Sequence, residues 1–288
     1  MPLLDAPLPR MAGRLSFMRA ACGSLDDVQP GGVAIIGLPV EDLDANHAGQ
    51  SLAPRGLRET SVYFGWHANP QFQHPVDVDD RREISAAGIF ERMVDLGDIR
   101  AASIPDALCS LQSRLWDRQA TAIYLGGNEA LINALPGPIV DVPVVRLGGR
   151  GVASDLSLAP LSGPGVPPDP SRTAVAVQDM VRAHLGGRNR AIAVFDLSVF
   201  ATSLSGLCDR PRIGGCTLPE VTLWLSALGG AGVSAVFLTG LNPTLSGMGI
   251  IKTGQRLMVT ALLSFVYARL GVAHPAPAPA IGQEVYAP

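Results

Sequence analysis

Four stretches of the chain share one layout, an unbroken apolar run that stops at glycine or at a polar residue. They are 33–39 (VAIIGLP), 121–130 (TAIYLGGNEA), 142–150 (VPVVRLGGR) and 191–198 (AIAVFDLS). Runs that are apolar on both faces predict buried strands of a parallel sheet. In such a sheet ligands sit beyond the C-terminal ends of the strands, so the polar residues after each run share one edge. Two further strands are expected at 94–99, running into a turn, and at 233–239. Helical patterns lie between them. One starts at Ala53 with Pro54 in its first turn, and 104–119 carries Leu108, Leu111 and Leu115 at helical spacing. Others fall at 130–135, 173–185, 218–228 and 253–270, and Thr217 with Glu220 forms a capping box ahead of the fourth of these helices after Ala53. Strands alternating with helices predict an α/β fold, a three-layer α/β/α domain with a mainly parallel sheet.

The punctuation of the chain gives its limits. Residues 1–30 read as an irregular lead-in, 31–272 as a single α/β domain, and 273–288 as an extended Pro/Ala-rich tail. Residues 148–172 are rich in Gly, Pro and Ser and read as a loop long enough to be functional. With 47% hydrophobic and 16% charged residues, and with 24 prolines and 32 glycines spread throughout, the composition is that of a loop-punctuated globule.

Net charge is −3, and no run of Lys or Arg exceeds two, which speaks against a nucleic-acid surface or an acidic-lipid anchor. No stretch reaches the roughly 18 apolar residues of a membrane span, and the N-terminus lacks a continuous apolar segment of signal length. Cys22, Cys109, Cys208 and Cys216 are scattered without a C-x-x-C pair. A cytoplasmic protein with reduced thiols is the expectation, and no functional Cys208–Cys216 pair is expected.

Several polar groups invite a chemical role and do not earn one from their surroundings. His67 and His74 share a loop without a supporting Cys or carboxylate pattern. Glu41, Asp42 and Asp44 read as a solvated acidic loop face, and Asp209 with Arg210 as a surface pair. Ser198 has no histidine nearby in sequence and no G-x-S-x-G elbow. The pairs Gly126-Gly127 and Gly148-Gly149 fit neither G-x-G-x-x-G nor a P-loop.

The order of motifs nevertheless resembles one family over nearly the whole chain, the ureohydrolases (arginase, agmatinase and relatives). Gly37-Leu38-Pro39 is similar to the family's first-strand Gly-Ile-Pro. Ala53-Pro54-Arg55-Gly56-Leu57-Arg58 resembles its Gly-Pro-x-x-Ile-Arg, and Asp95-Leu96-Gly97-Asp98 its Asp-x-Gly-Asp. Gly214-Gly215-Cys216-Thr217 with Glu220 resembles Gly-Gly-Leu-Thr and the Glu that follows, and Leu241-Asn242-Pro243 resembles Val-Asn-Pro.

The resemblance implies an arginase/ureohydrolase-like fold, an assembly of trimers or hexamers, and two manganese ions roughly 3.5 Å apart that ionise a water. The family's ligand motifs, Gly-Gly-Asp-His, Asp-Ala-His-x-Asp and Asp-x-Asp, are not kept. Their ligand positions hold Glu129, Gly148, Arg150, Val152, Asp196 and Ser198, so only Asp196 is an unchanged ligand. The family's substrate-gripping Glu is replaced by Gly240, and without it a guanidinium loses its bidentate partner. The interval from Gly148 to Asp196 is short for the family, as if one strand–helix unit were missing. No histidine stands between His74 and His184 to serve as the proton shuttle.

Arg150 opposes a cation at the old ligand position. It either pairs with Asp196 and Glu129 in place of the metals or points to solvent from its glycine loop. Three functional classes stay open. The first is a non-catalytic relative, without cofactor, acting as a homo-oligomer subunit or as the partner of an active paralogue. The second is a metal-free enzyme using Glu129, Asp196 and Arg150 as acid, base and anion binder. The third is a metal-dependent hydrolase of guanidines or amidines that recruits other ligands, for example His47 or Asp155.

Overall fold

The apolar runs all form strands. The computed structural model describes residues 15–41, 48–65, 76–77, 82–83, 90–100, 103–135, 142–148, 156–158, 170–188, 190–200, 215–245 and 253–271. In chain order the strands are β1 (Ala21–Cys22), β2 (Val33–Leu38), β3 (Val76–Asp77), β4 (Arg82–Glu83), β5 (Met93–Asp98), β6 (Thr121–Gly126), β7 (Val144–Leu147), β8 (Leu156–Leu158), β9 (Ile192–Asp196) and β10 (Ala235–Thr239). The helices are α1 (Ala53–Gly65), α2 (Ile104–Asp117), α3 (Glu129–Asn133), α4 (Pro170–Leu185), α5 (Leu218–Gly230) and α6 (Thr253–Leu270). Eight strands make one sheet in the order β1-β5-β2-β6-β10-β9-β7-β8, with every pairing parallel, while β3 and β4 form a separate antiparallel pair.

Because successive side chains of a strand face opposite ways, each run feeds two cores. Val33 and Ile35 of β2, with Ala193 and Phe195 of β9, face a layer built by α1, α4, α5 and α6 through Leu57, Val181, Leu225 and Phe265. Ala34, Ile36 and Leu38, with Tyr124 of β6 and Phe237 of β10, face α2 and α3 through Leu108, Leu115, Trp116 and Leu131. Tyr124 and Phe237 stack across neighbouring strands with ring centroids 4.4 Å apart. Each fully buried aliphatic or phenyl side chain contributes about 1.5–3 kcal/mol. The chain is therefore a three-layer α/β/α fold.

Three elements depart from the sequence reading. The segment 148–172, read as a loop, contains the strand β8, which among the described residues pairs with β7 alone. Its Leu-Ser-Leu is too brief to stand out against the surrounding Gly and Pro. The helix expected from residue 173 begins at Pro170, as α4, with proline at the start where its missing N–H costs nothing. Within the lead-in, β1 pairs with β5, and Phe17 and Met18 are buried in the first core.

A buried ion-pair network ties this side together. Arg58 of α1 grips Asp95 of β5 with a fork, Nε to Oδ2 at 2.8 Å and Nη2 to Oδ1 at 2.9 Å, and reaches Asp98 Oδ1 at 2.6 Å. Asp95 also accepts from the amides of Phe17 (2.8 Å) and Gly97 (2.9 Å). Burial pulls the Arg58 pKa down, but hydrogen bonds and charge from Asp95 and Asp98 outweigh it, and the pKa is raised. Two of the motifs that carried the family resemblance, around Arg58 and around Asp95-Asp98, are thus each other's partners.

Candidate functional site

The C-terminal ends of β2, β6, β7, β9 and β10 lie along one edge, as the apolar-then-polar layout predicts. Asp196 ends β9 and is 7% exposed. Its Oδ1 accepts from the Ser198 amide (2.9 Å) and its Oδ2 from the Thr239 hydroxyl at the end of β10 (2.7 Å). These neighbours meet because Thr239 and Asp196 are register partners in the β9–β10 pair.

Gly240 follows with φ +76, and a Cβ there would stand 2.5 Å from Asp196 Oδ2. The carboxylate thus lies directly over Gly240. At the end of β7, a Cβ on Gly148 (φ +79) would meet Val199 N at 2.7 Å and Asp196 O at 3.0 Å. The structure therefore brings Gly148, Asp196, Ser198 and Gly240 together. Glu129 opens α3 after β6, while Arg150 and Val152 lie outside the described residues, as do His47, Asp155, His67, His74, Asp209, Arg210 and Cys208.

The polar residues nearer β2 and β6 are engaged in tethering the backbone. Asn128 caps α3, its Oδ1 accepting from Leu131 N (2.7 Å), and its amide donates to Glu41 O (3.1 Å). Asn242 accepts from Thr244 N (3.0 Å) and donates to Ala48 O (3.2 Å).

Glu41 corrects the expectation of a solvated acidic face. Its carboxylate accepts from the amides of Gly49 (3.0 Å), Gln50 (3.1 Å) and Ser51 (3.2 Å) and from the Ser51 hydroxyl. It ties the chain just after β2 to the one-turn helix that leads into α1, where exposed N–H groups and the helix dipole favour a negative charge. Asp42 and Asp44 lie outside the described residues.

The Ser51 hydrogen bond, opposed by burial and helped by the three amides, lowers the Glu41 pKa. A lowered folded pKa adds stability that is present above the unfolded value of about 4.3 and lost as pH falls through the folded pKa. Replacing Glu41 by Gln should cost about 1 kcal/mol at pH 7, allowing for solvent screening. The difference from the parent chain in urea unfolding curves should shrink as the pH falls below about 4.3 and the folded carboxylate becomes protonated.

Sequence reasoning passed over Arg146. It sits mid-strand in β7, is 2% exposed, and donates from Nη2 to Asn133 Oδ1 of α3 at 2.8 Å. An arginine inside the run VPVVRL was the available signal, since a cation in a two-sided apolar strand demands an explanation. Cys216 is also buried. Burial, then the neighbouring Glu220 charge, pushes its thiol up to about 11, which keeps it protonated and unreactive. Glu220 itself accepts from Thr217 N (2.8 Å) and Oγ1 (2.9 Å), as the capping box predicts.

Two divalent ions would need several carboxylates and imidazoles on this edge. Gly148 supplies no donor, and both Asp196 oxygens already accept hydrogen bonds. Among the described residues, no three His, Cys, Asp or Glu side chains gather as a metal site. The described donor set does not fit a metal pair. No helix among the described residues is long and apolar enough to cross a membrane.

No protein-family model and no curated protein matches the sequence. Solved structures do match by fold. A hypothetical agmatinase from Burkholderia thailandensis superposes with a TM-score of 0.63 at 17% identity, covering 91% of this chain and 92% of that one. Proclavaminate amidino hydrolase from Streptomyces clavuligerus gives 0.62 at 19% identity, covering 91% and 100%. Arginase from Bacillus subtilis gives 0.56 at 16% identity, covering 84% and 98%.

Proposed function

We propose that this chain, which has the ureohydrolase fold, is a cytoplasmic non-catalytic relative of those hydrolases, working as an oligomer subunit or as the partner of an active paralogue. The observation that carries the proposal is the seating of Asp196. The one family ligand left unchanged is held from both sides by Ser198 and Thr239, and it occupies the space over Gly240 where a substrate-gripping side chain would start.

Gly148 supports the same reading. Its position can offer no ligand, and its backbone packs against Asp196 and Val199 so closely that any side chain would collide. The Arg58–Asp95–Asp98 network and the Asn242 and Thr217–Glu220 tethers hold the scaffold on which an oligomer subunit or partner would present its surface.

Elemental analysis after purification in buffer containing manganese, zinc and nickel tests the proposal, together with assays of urea and ammonia release from guanidines and amidines. Fewer than about 0.1 ions per chain and no release are expected, since tightly held metals survive such handling. One or two retained ions with turnover would overturn it in favour of a hydrolase of C–N bonds with recruited ligands. Turnover without metal would overturn it in favour of the metal-free enzyme, with Glu129, Asp196 and Arg150 as the acid, base and anion binder to mutate.

A further inference from the structure

Two arginines meet at the opposite, N-terminal edge of the sheet. Arg92 immediately precedes β5 and donates to Gly31 O (3.0 Å), two residues ahead of β2, and to Leu270 O (3.3 Å) at the end of α6. Arg269, in the last turn of α6, donates through Nε to Thr121 Oγ1 at the start of β6 (2.8 Å). The strands β5, β2 and β6 are adjacent, and Thr121 N donates to Gly32 O at 2.9 Å. The two cations are therefore fixed over the ends of three neighbouring strands, and both are part-buried.

Among the described residues every acceptor they use is neutral, and neither forms an ion pair with a carboxylate, the exposed neighbour Glu91 included. Burial, then the charge of Arg92, lowers the Arg269 pKa. The C-terminal end of α6 offers roughly half a negative charge, which offsets only a fraction of two guanidinium charges. Toward the described residues Arg92 uses two of its five N–H donors and Arg269 one, so both keep donors for a further acceptor. Planar forks of this kind match oxyanions bidentately.

We propose that Arg92 and Arg269 form an oxyanion-binding site at the N-terminal edge of the sheet, with Gly31, Leu270 and Thr121 positioning the two guanidiniums. Its ligand is a small phosphate-type or carboxylate group that supplies the negative charge the described residues do not. The site lies at the other end of the strands from Asp196 and does not depend on the reading given for that edge.

Thermal unfolding of the full chain tests this at constant ionic strength, with inorganic phosphate or formate replacing chloride. About 10 mM phosphate is expected to raise Tm by about 3 °C in a saturable way, as for a site of roughly millimolar affinity in a chain this size. A rise with phosphate alone assigns a tetrahedral oxyanion, and an equal rise with formate assigns a carboxylate group. The variant Arg269→Gln removes a single bond to Thr121 and one of two repelling charges. It should unfold no earlier than the parent in chloride and should lose the anion-dependent rise. Arg92→Lys, which keeps the charge and loses the fork, should weaken anion binding at least tenfold. No rise with either anion, or the same rise in Arg269→Gln, would overturn the proposal.

Discussion

Replacing Arg58 by leucine is expected to destabilise the chain by about 3–5 kcal/mol, the cost of leaving a buried carboxylate without its cation. Asp95 is 3% exposed and keeps only the amides of Phe17 and Gly97 once the guanidinium is gone. Urea unfolding followed by circular dichroism measures the loss. The double variant Arg58→Leu/Asp95→Leu separates charge burial from packing. With both charges removed, no carboxylate is orphaned at position 95, and part of the loss should return. If Arg58→Leu cost less than about 1 kcal/mol, the network would not be what holds α1 to β5.

Gly240→Ala should be the second most damaging change, at about 2–4 kcal/mol. A φ of +76 costs an L-residue about 1–2 kcal/mol. The added Cβ, 2.5 Å from Asp196 Oδ2, also forces the carboxylate off the Thr239 hydroxyl and the Ser198 amide. Those bonds contribute about 1 kcal/mol each. In an Asp196→Ala background the same substitution should cost only the backbone share, because the obstruction has gone. A double-mutant cycle therefore reads out the coupling. Equal costs in both backgrounds would mean that the carboxylate does not sit over Gly240 in solution.

Much of this architecture was legible. The run VAIIGL is apolar on both faces without a break, and it became a central strand, buried along its whole length and bounded where the sequence places Leu38-Pro39. The capping box at Thr217 and Glu220 was readable because its two residues lie one turn apart. Asp196 was identifiable because it ends an apolar run, and the structure sets it on the expected edge. Less was legible where a partner comes from a distant segment. Glu41 looked like one of several loop acids until the Gly49–Ser51 amides closed on it. Arg146 was hidden because an apolar run is read by its majority, and its Asn133 partner sits on another element.

Taken alone, the chain's hydrophobic periodicity determined the alternating strands and helices and the edge on which polar residues would collect. That information is local, written in unbroken apolar runs for the strands and at spacings of three to four residues for the helices. Motif order added the ureohydrolase fold, and superposition with solved structures supports it. Only the tertiary structure decided that β9 runs between β7 and β10, which puts Thr239 beside Asp196 and Gly240 beneath it. It alone brought Arg92 to Arg269 across the ends of β5, β2 and β6. Strand order depends on which distant segments bury each other's faces, and no short-range pattern records that choice.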